Sequence, residues 1–341
     1  MSSEKRVTIS DIANEVGVST TTISRFLSGH YQYMSKSTQE RIRTVVQTSG
    51  YRPSLVARGL KSSKSYLIGV IMPEVHRPAA SHSIRGICLA CTDSPYSPII
   101  ISIENDADAE AQKIQELIDH RVDGILTFTG SGDEYYAGAI KNGIPVVRVD
   151  RCEDCSPIDS VYINHYDIVQ DALLDLTVSG YTKIAMLVSN ATTSHYSTVN
   201  IRRRSYFDFV NTSTHLSPIE YDVNGTSVSS IHEALTDFIT TYPNEKKAIF
   251  VPSLEHFATV DWVCKLMGLH YPDDIALLGY TLEEVDDTLS GDLFVISQPI
   301  IDMCKVALTL ISARITGGIL PPEPVAKAIP ASFFFRKTTL Q

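Results

Sequence analysis

From Tyr66 onward the chain alternates short apolar runs with amphipathic helical stretches, and it does so twice in succession. The first round reads "YLIGVIMP", a helix near 80–92, "SPIIISI", a helix over 108–120, "VDGILTFTG", a helix over 133–142 and "IPVVRVD". The rhythm restarts after Asp167 with the helix "IVQDALLDLTVSG", the strand "KIAMLVS", a helix over 202–211, "IEYDV", a helix over 229–241, "KAIFVP", a helix over 255–267 and "IALLGY". Strands separated by helices pair in parallel, and the crossover helices cover both faces of the sheet. Two such units predict an α/β body of two lobes. Ligand sites in open parallel sheets lie at the carboxyl ends of the strands, so a cleft is expected between the lobes. No phosphate loop, GxSxG elbow or HExxH pair interrupts the pattern.

The residues before Tyr66 have another texture. In "SDIANEVGVSTTTISRFLSG" the residues Ile9, Ile12, Ala13 and Val16 share one helical face, and Gly17 stands where that helix must stop. Ser19 is a good N-cap for a second helix over 20–27 that carries Ile23, Phe26 and Leu27. This is a helix-turn-helix pattern within an all-α head. It sets Thr20, Thr21 and Arg25 on the outer face near the start of the second helix, where side chains reach base edges when such a helix enters the major groove. Threonine hydroxyls suit phosphates and base edges, and arginine suits guanine. A third helix over 35–50 buries Ile42, Val45 and Val46. Pro53 then opens a short helical turn, too short to be stable alone, and "KSSKS" reads as a linker.

Charge follows the same division. The whole chain carries −10, yet residues 1–65 hold ten basic side chains against four acidic ones, a net of +6 that leaves −16 on the remainder. A basic head on an acidic body fits a DNA-binding domain joined to a ligand-binding one. No run is long and apolar enough for a membrane helix, and "MSSEKRVTIS" has no apolar signal core, so a cytoplasmic chain without a membrane partner is expected. Six cysteines include two CxxC pairs, Cys88/Cys91 and Cys152/Cys155. Structural zinc pairs sit on tight turns. Cys88 and Cys91 instead fall in an amphipathic helix as small core residues, and Cys152 and Cys155 fall in a loop as free thiols, so neither a metal nor a cofactor is expected.

The sequence resembles the lactose/galactose repressor (LacI/GalR) family of transcription factors. The resemblance rests in the head on "VTISDIANEVGVSTTTISRFLSG" and "GYRPSLVARGLKS". In the body it rests on "LIGVIMP", "VDGIL", "GIPVVRVDR", "SGYTKIAMLVS", "YPDDIALLGY" and "ISQPI". It implies a homodimer on a pseudo-palindromic operator of double-stranded DNA. Thr20, Thr21 and Arg25 match base-reading positions, and Thr8, Ser19, Thr22 and Ser24 match backbone-contacting ones. Residues 54–60 match the family's hinge helix, with Ala57 and Arg58 at minor-groove positions and Leu60 as the wedge that kinks the central step. The domains implied are a helix-turn-helix head over 1–61, a linker over 62–65 and a type I periplasmic-binding-protein-like body over 66–341. The N-lobe of that body is expected at 66–164 and 294–325, and the C-lobe at 165–293 and 326–341. No leucine heptad follows, so a dimer is expected rather than a tetramer.

The effector pocket departs from the family pattern. Thr281 follows "LLGY" where an aspartate binds sugar hydroxyls, Pro252-Ser253 replaces Asn-Asp, and the lobe junction keeps only Asn164. "EVHRPAASHS" lacks the usual Asn-Pro-Phe-Phe. These changes point away from an ordinary neutral sugar. "NIRRRSYFDF" places Arg202, Arg203 and Arg204 at a helix start facing the cleft, where an arginine suits a carboxylate or phosphate. Helical geometry favours only one of the three facing inward. "LSGHYQYMS" also looks like the ketodeoxygluconate-type subgroup, so an acidic or phosphorylated sugar is the expected small-molecule effector. The reading is therefore a repressor of carbohydrate-use genes, controlled allosterically from the cleft. Its alternatives are control by a protein co-regulator on an eroded pocket, and a solute-binding protein, which the basic head opposes. An enzyme is not expected: Glu255, His256, Asp286 and Asp287 are titratable, but nothing arranges them as nucleophile and base.

Overall fold

A computed structural model describes residues 7–27, 29–50, 64–104, 106–151, 156–189, 198–282 and 292–336. The expected hinge helix with Ala57, Arg58 and Leu60 lies outside the described residues, as do residues 62 and 63 of the expected linker, Cys152, Cys155, Asp286 and Asp287. The chain divides into two compact units, Met1–Tyr66 and Leu67–Gln341.

In the first unit, α1 spans Ile9–Val16, α2 Thr20–Leu27 and α3 Lys36–Thr48, with a 3-10 turn at Tyr31–Tyr33. Thr8 and Asp11 form a reciprocal capping box at the start of α1, and Gly17 ends that helix at φ 73, a backbone region that favours glycine. Ser35 caps α3 by accepting from the Thr38 N–H at 3.2 Å. Ile12, Ala13, Val16, Ile23, Phe26 and Ile42 make the core, with Val45 and Val46 half-buried at its edge. Arg41 donates to the carbonyl of Val16 and so ties α3 to the end of α1.

The second unit holds β1 (Leu67–Met72), α4 (Pro78–Cys91), β2 (Ser97–Ser102), α5 (Ala107–Asp119), β3 (Gly124–Thr127), α6 (Ala137–Lys141), β4 (Val146–Val149) and β5 (Asp159–Tyr162). It continues with α7 (His165–Val178), β6 (Lys183–Val188), α8 (Thr198–Thr212), β7 (Glu220–Asp222), α9 (Val228–Thr241), β8 (Lys247–Val251) and α10 (Leu254–Leu266). The last elements are β9 (Ala276–Leu282), β10 (Leu293–Gln298), α11 (Ile300–Thr316), β11 (Ala326–Ala328) and β12 (Ser332–Arg336). Two six-stranded sheets result, ordered β11-β5-β4-β3-β1-β2 and β12-β10-β9-β8-β6-β7. Every pairing is parallel except β10 with β12. One sheet serves each lobe.

The crossings between lobes differ from the sequence expectation. Residues 294–298 lie in the second sheet, where β10 pairs with β9 from Phe294↔Leu278 to Gln298↔Leu282. Such a buried strand satisfies its backbone only inside a sheet. The chain crosses at Pro299, and α11 then packs on α4 and beneath β3–β5 of the first lobe. Residues 326–328, expected in the C-lobe, extend the first sheet beside β5, and the last crossing follows them. Cys88 also differs: Cys91 is buried, but Cys88 is exposed on the outer side of α4.

No helix among the described residues is long and apolar enough to cross a membrane. No group of three or more histidine, cysteine or acidic side chains among them is placed to hold a metal ion.

Gly279 fixes how closely α10 approaches the second sheet. A Cβ there would lie 1.9 Å from Cδ2 of the buried Phe257 ring. Gly279→Ala therefore overpacks the core and is expected to lower body stability by about 1–3 kcal/mol. Urea unfolding followed by Trp262, the chain's one tryptophan, checks this.

Candidate functional site

Two surfaces carry chemistry. The first is the outer face of α2, where Thr20, Thr21 and Arg25 are all exposed. Thr21 and Arg25 stand one helical turn apart on the same face. Ser19 caps the helix, accepting from the Thr22 N–H at 3.1 Å and sharing a 2.9 Å hydrogen bond with the Thr22 hydroxyl. Two hydroxyls with one hydrogen bond between them leave one O–H to donate to a phosphate. Thr22 and Ser24 are half-buried beside them. Thr8 is differently placed: its N–H and its hydroxyl both donate to Asp11, at 2.8 and 2.7 Å. It can donate to a phosphate only by releasing that carboxylate. Arg25 rests its guanidinium 4.8 Å from the centroid of the Tyr33 ring.

The second surface is a cavity of about 180 Å³ between the lobes of the body, at the carboxyl ends of the strands. Glu74, Arg77 and Asp150 line it from the first lobe, and Arg202, Ser253 and Gln298 from the second. Arg77 spans its mouth, pairing with Glu74 on its own lobe and lying 3.2 Å from Glu255 on the other.

Arg202 dominates the interior. Only 4% of it is exposed. Its Nη1 donates to the Pro252 carbonyl at 2.7 Å and its Nη2 to Gln298 Oε1 at 3.1 Å. Its Nε and Nη2 also lie 3.4 and 3.2 Å from the two nitrogens of His165. The guanidinium stacks 3.5 Å from the centre of the Tyr280 ring. Burial, then the charge of Arg202, lowers the His165 pKa to about 4 against the opposing pull of Asp150. The imidazole is thus neutral near pH 7. Asp150 Oδ1 lies 3.4 Å from His165 Nε2. Burial pushes the Asp150 carboxyl up, but the contact with His165 and the charges of Arg202 and Arg151 outweigh it and hold the group below the usual carboxylate range. Each hydrogen-bond partner of Arg202 is therefore an uncharged group, and the Asp150 carboxylate approaches the same imidazole nitrogen as Arg202 Nη2 without a hydrogen bond to the guanidinium.

The other expected pocket residues divide. Arg203 turns away and makes a bidentate pair with Glu220, 2.6 Å on each arm. Arg204 is exposed, 3.7 Å from Asp208. Asn164 is exposed and caps α7, accepting from the Asp167 N–H at 3.2 Å, and it does not line the cavity. Thr281 is buried in β9 with an unpartnered hydroxyl, also off the cavity wall. Of the pocket candidates, the fold brings Arg202 and Ser253 together. Sequence reading missed Asp150, His165, Tyr280 and Gln298. Asp150 and His165 flank the first lobe junction, and their only local signal is a charged or imidazole side chain at the end of a strand and the start of a helix.

The family model described as "Bacterial regulatory proteins, lacI family" matches residues 8–54. That described as "Periplasmic binding proteins and sugar binding domain of LacI family" matches residues 65–247, more than half of the chain. The chain belongs to the lacI family. A third model, the periplasmic binding protein-like domain, matches residues 174–339. Among curated relatives, the HTH-type transcriptional regulator KdgR of Bacillus subtilis (strain 168) is 25% identical over 97% of this chain and 97% of its own. Catabolite control protein A of Priestia megaterium is 27% identical over 98% of this chain and 99% of its own. The lac repressor dimer bound to operator and an anti-inducer shares the fold, with a TM-score of 0.81 at 22% identity over 99% of this chain and 100% of that one. This lacI-family chain is a DNA-binding transcriptional regulator and not an enzyme. Glu255 is engaged by Arg77, and His256 is buried with its Nδ1 unpartnered.

The neutral, buried His165 gives the body a signed pH dependence. Its folded pKa of about 4 lies below the ordinary histidine value of 6.5, so the unfolded chain binds the proton first. Stability should fall as pH drops from 6.5 to 4, by about 3 kcal/mol in total from this group. Urea unfolding at a series of pH values should show a shallower slope over that window for His165→Gln than for the parent chain.

Proposed function

We propose that this regulator is a homodimeric, cytoplasmic repressor of carbohydrate-use genes, released or engaged by an acidic sugar derivative in the interlobe cleft. The single observation that carries the effector class is Arg202. A buried guanidinium is normally matched by a carboxylate. Here its partners are the Pro252 carbonyl, Gln298 and a neutral imidazole. A carboxylate or phosphate on the ligand completes that site, and its binding is favoured by a low local dielectric.

On the DNA, Thr20, Thr21 and Arg25 read bases in the major groove of each half-site. Thr8, Ser19, Thr22 and Ser24 hold the backbone. Ala57, Arg58 and Leu60 enter the minor groove at the centre, with Leu60 as the wedge. The effector acts by differential affinity for two lobe arrangements.

Selection of the full-length protein on fragmented genomic DNA tests the operator reading. One two-fold site should be enriched, with affinity falling steeply as salt rises. Arg25→Ala should cost about 1–3 kcal/mol of discrimination at one base pair per half-site. Leu60→Ala should weaken the operator complex.

Calorimetric titration with aldonic acids, sugar phosphates and the matching neutral sugars tests the effector. Binding by an acid or phosphate and not by the neutral sugars is the expected result, lost by at least about tenfold in Arg202→Gln, since a hydrogen bond to a charged group is worth about 1.5–3 kcal/mol. Binding of neutral sugars alone overturns the acidic class. If no small molecule binds, control by a protein co-regulator takes its place.

A further inference from the structure

We infer that Tyr33 is a positioning residue for Arg25, fixing the guanidinium that the regulator presents to the operator. This rests on the reading of Arg25 as a base contact.

Tyr33 has no place in the core of the head. It is 61% exposed. Its backbone is nevertheless fastened on both sides. The His30 N–H donates to the Arg25 carbonyl at 2.9 Å, and the Met34 N–H to the Tyr31 carbonyl at 3.2 Å. From α3, Gln39 Nε2 donates to the carbonyls of Tyr31 and Met34, at 3.2 and 3.3 Å. Tyr31 packs edge-on against the buried Phe26, with ring centroids 5.5 Å apart. His30 braces the Tyr33 ring from its edge at 6.5 Å. The turn is thus anchored to α2 and α3, and it sets the Tyr33 ring beside Arg25.

The manner of that contact matters more than its strength. A carboxylate would hold an arginine by occupying its N–H groups. The face of an aromatic ring holds the cation through its quadrupole and uses none of them. Among the described residues, no side-chain oxygen accepts a hydrogen bond from Arg25 in this structure. With respect to the described residues the guanidinium's donors are left for a base edge, while the stack restricts the rotamers of a long side chain that would otherwise lose its freedom on binding. The segment between α2 and α3 therefore contributes to base selectivity without having to touch a base.

The test uses the full-length protein and a randomised two-fold duplex pool, reading preference at each position by sequencing the bound fraction. It compares the parent with Arg25→Ala, Tyr33→Ala, Tyr33→Phe and the Arg25→Ala, Tyr33→Ala pair. Arg25→Ala identifies the base pair that Arg25 reads. At that position, Tyr33→Ala should lower the preference by about two- to fivefold, the range of an exposed cation–π contact. Tyr33→Phe, which keeps the ring, should retain the parent preference. Tyr33→Ala should have no further effect once Arg25 is gone.

A uniform loss across all sequences, with the preference at that position intact, overturns the inference and makes Tyr33 a structural or phosphate-contacting residue. Equal damage from Tyr33→Phe and Tyr33→Ala overturns it in favour of a hydroxyl contact to DNA. An unchanged preference in Tyr33→Ala overturns it outright. If Arg25→Ala itself alters no position, the base-reading role of Arg25 fails, and the positioning role falls with it. That result is distinct from the case in which Arg25→Ala acts and Tyr33→Ala does not.

Discussion

The interlobe cavity of this protein is organised around a buried arginine. Arg202 bonds to Pro252 just past the end of β8, to Gln298 at the last position of β10 and to His165 at the first position of α7. The last two stand immediately beside points where the chain passes from one lobe to the other. Desolvating a guanidinium costs several kcal/mol, which is recovered only if its donors are met with good geometry. All of these groups lie in the second lobe, and the first lobe reaches them through Asp150, whose Oδ1 lies 3.4 Å from His165 Nε2. A change in the angle between the lobes alters that contact at the wall of the cavity.

The head solves the arginine problem the opposite way. Arg202 is buried and held by hydrogen bonds, while Arg25 is exposed and held by a ring face. A pocket arginine contributes a fixed charge to a ligand that comes to it, so its geometry can be locked by donors. A groove-reading arginine must arrive with its donors free. The caps on α1, α2 and α3 complete the arrangement, because helices of 8 and 13 residues are marginal alone and depend on capping and a shared core.

The helix-turn-helix could be read in the sequence because its signals are local: helical spacing of Ile12, Ala13 and Val16, a glycine at a positive φ, and a serine cap. The two-lobed body could be read for the same reason, from alternating runs. The lobe crossings could not. Leu293–Gln298 and Ala326–Ala328 look the same whichever sheet takes them, since pairing partners lie far off in sequence. Nor could the sequence choose among Arg202, Arg203 and Arg204, because each step along a helix turns the side chain by about 100° and the phase is set by packing. Cys88 was misjudged on the same ground: three residues from the buried Cys91, it sits just off the buried stripe. Asp150, His165 and Gln298 become a site only when three separate strand and helix ends meet.

The lobes are joined by three connectors: Ile163 and Asn164, then Pro299 alone, then residues 329–331. A single tether would let two bodies tumble, and a pair would let them twist about the line between the attachments. Three tethers of one to three residues each restrict sliding and separation more than a rotation in which only a few torsions change. Relative motion of the lobes is then confined to a few coordinates instead of being spread over many.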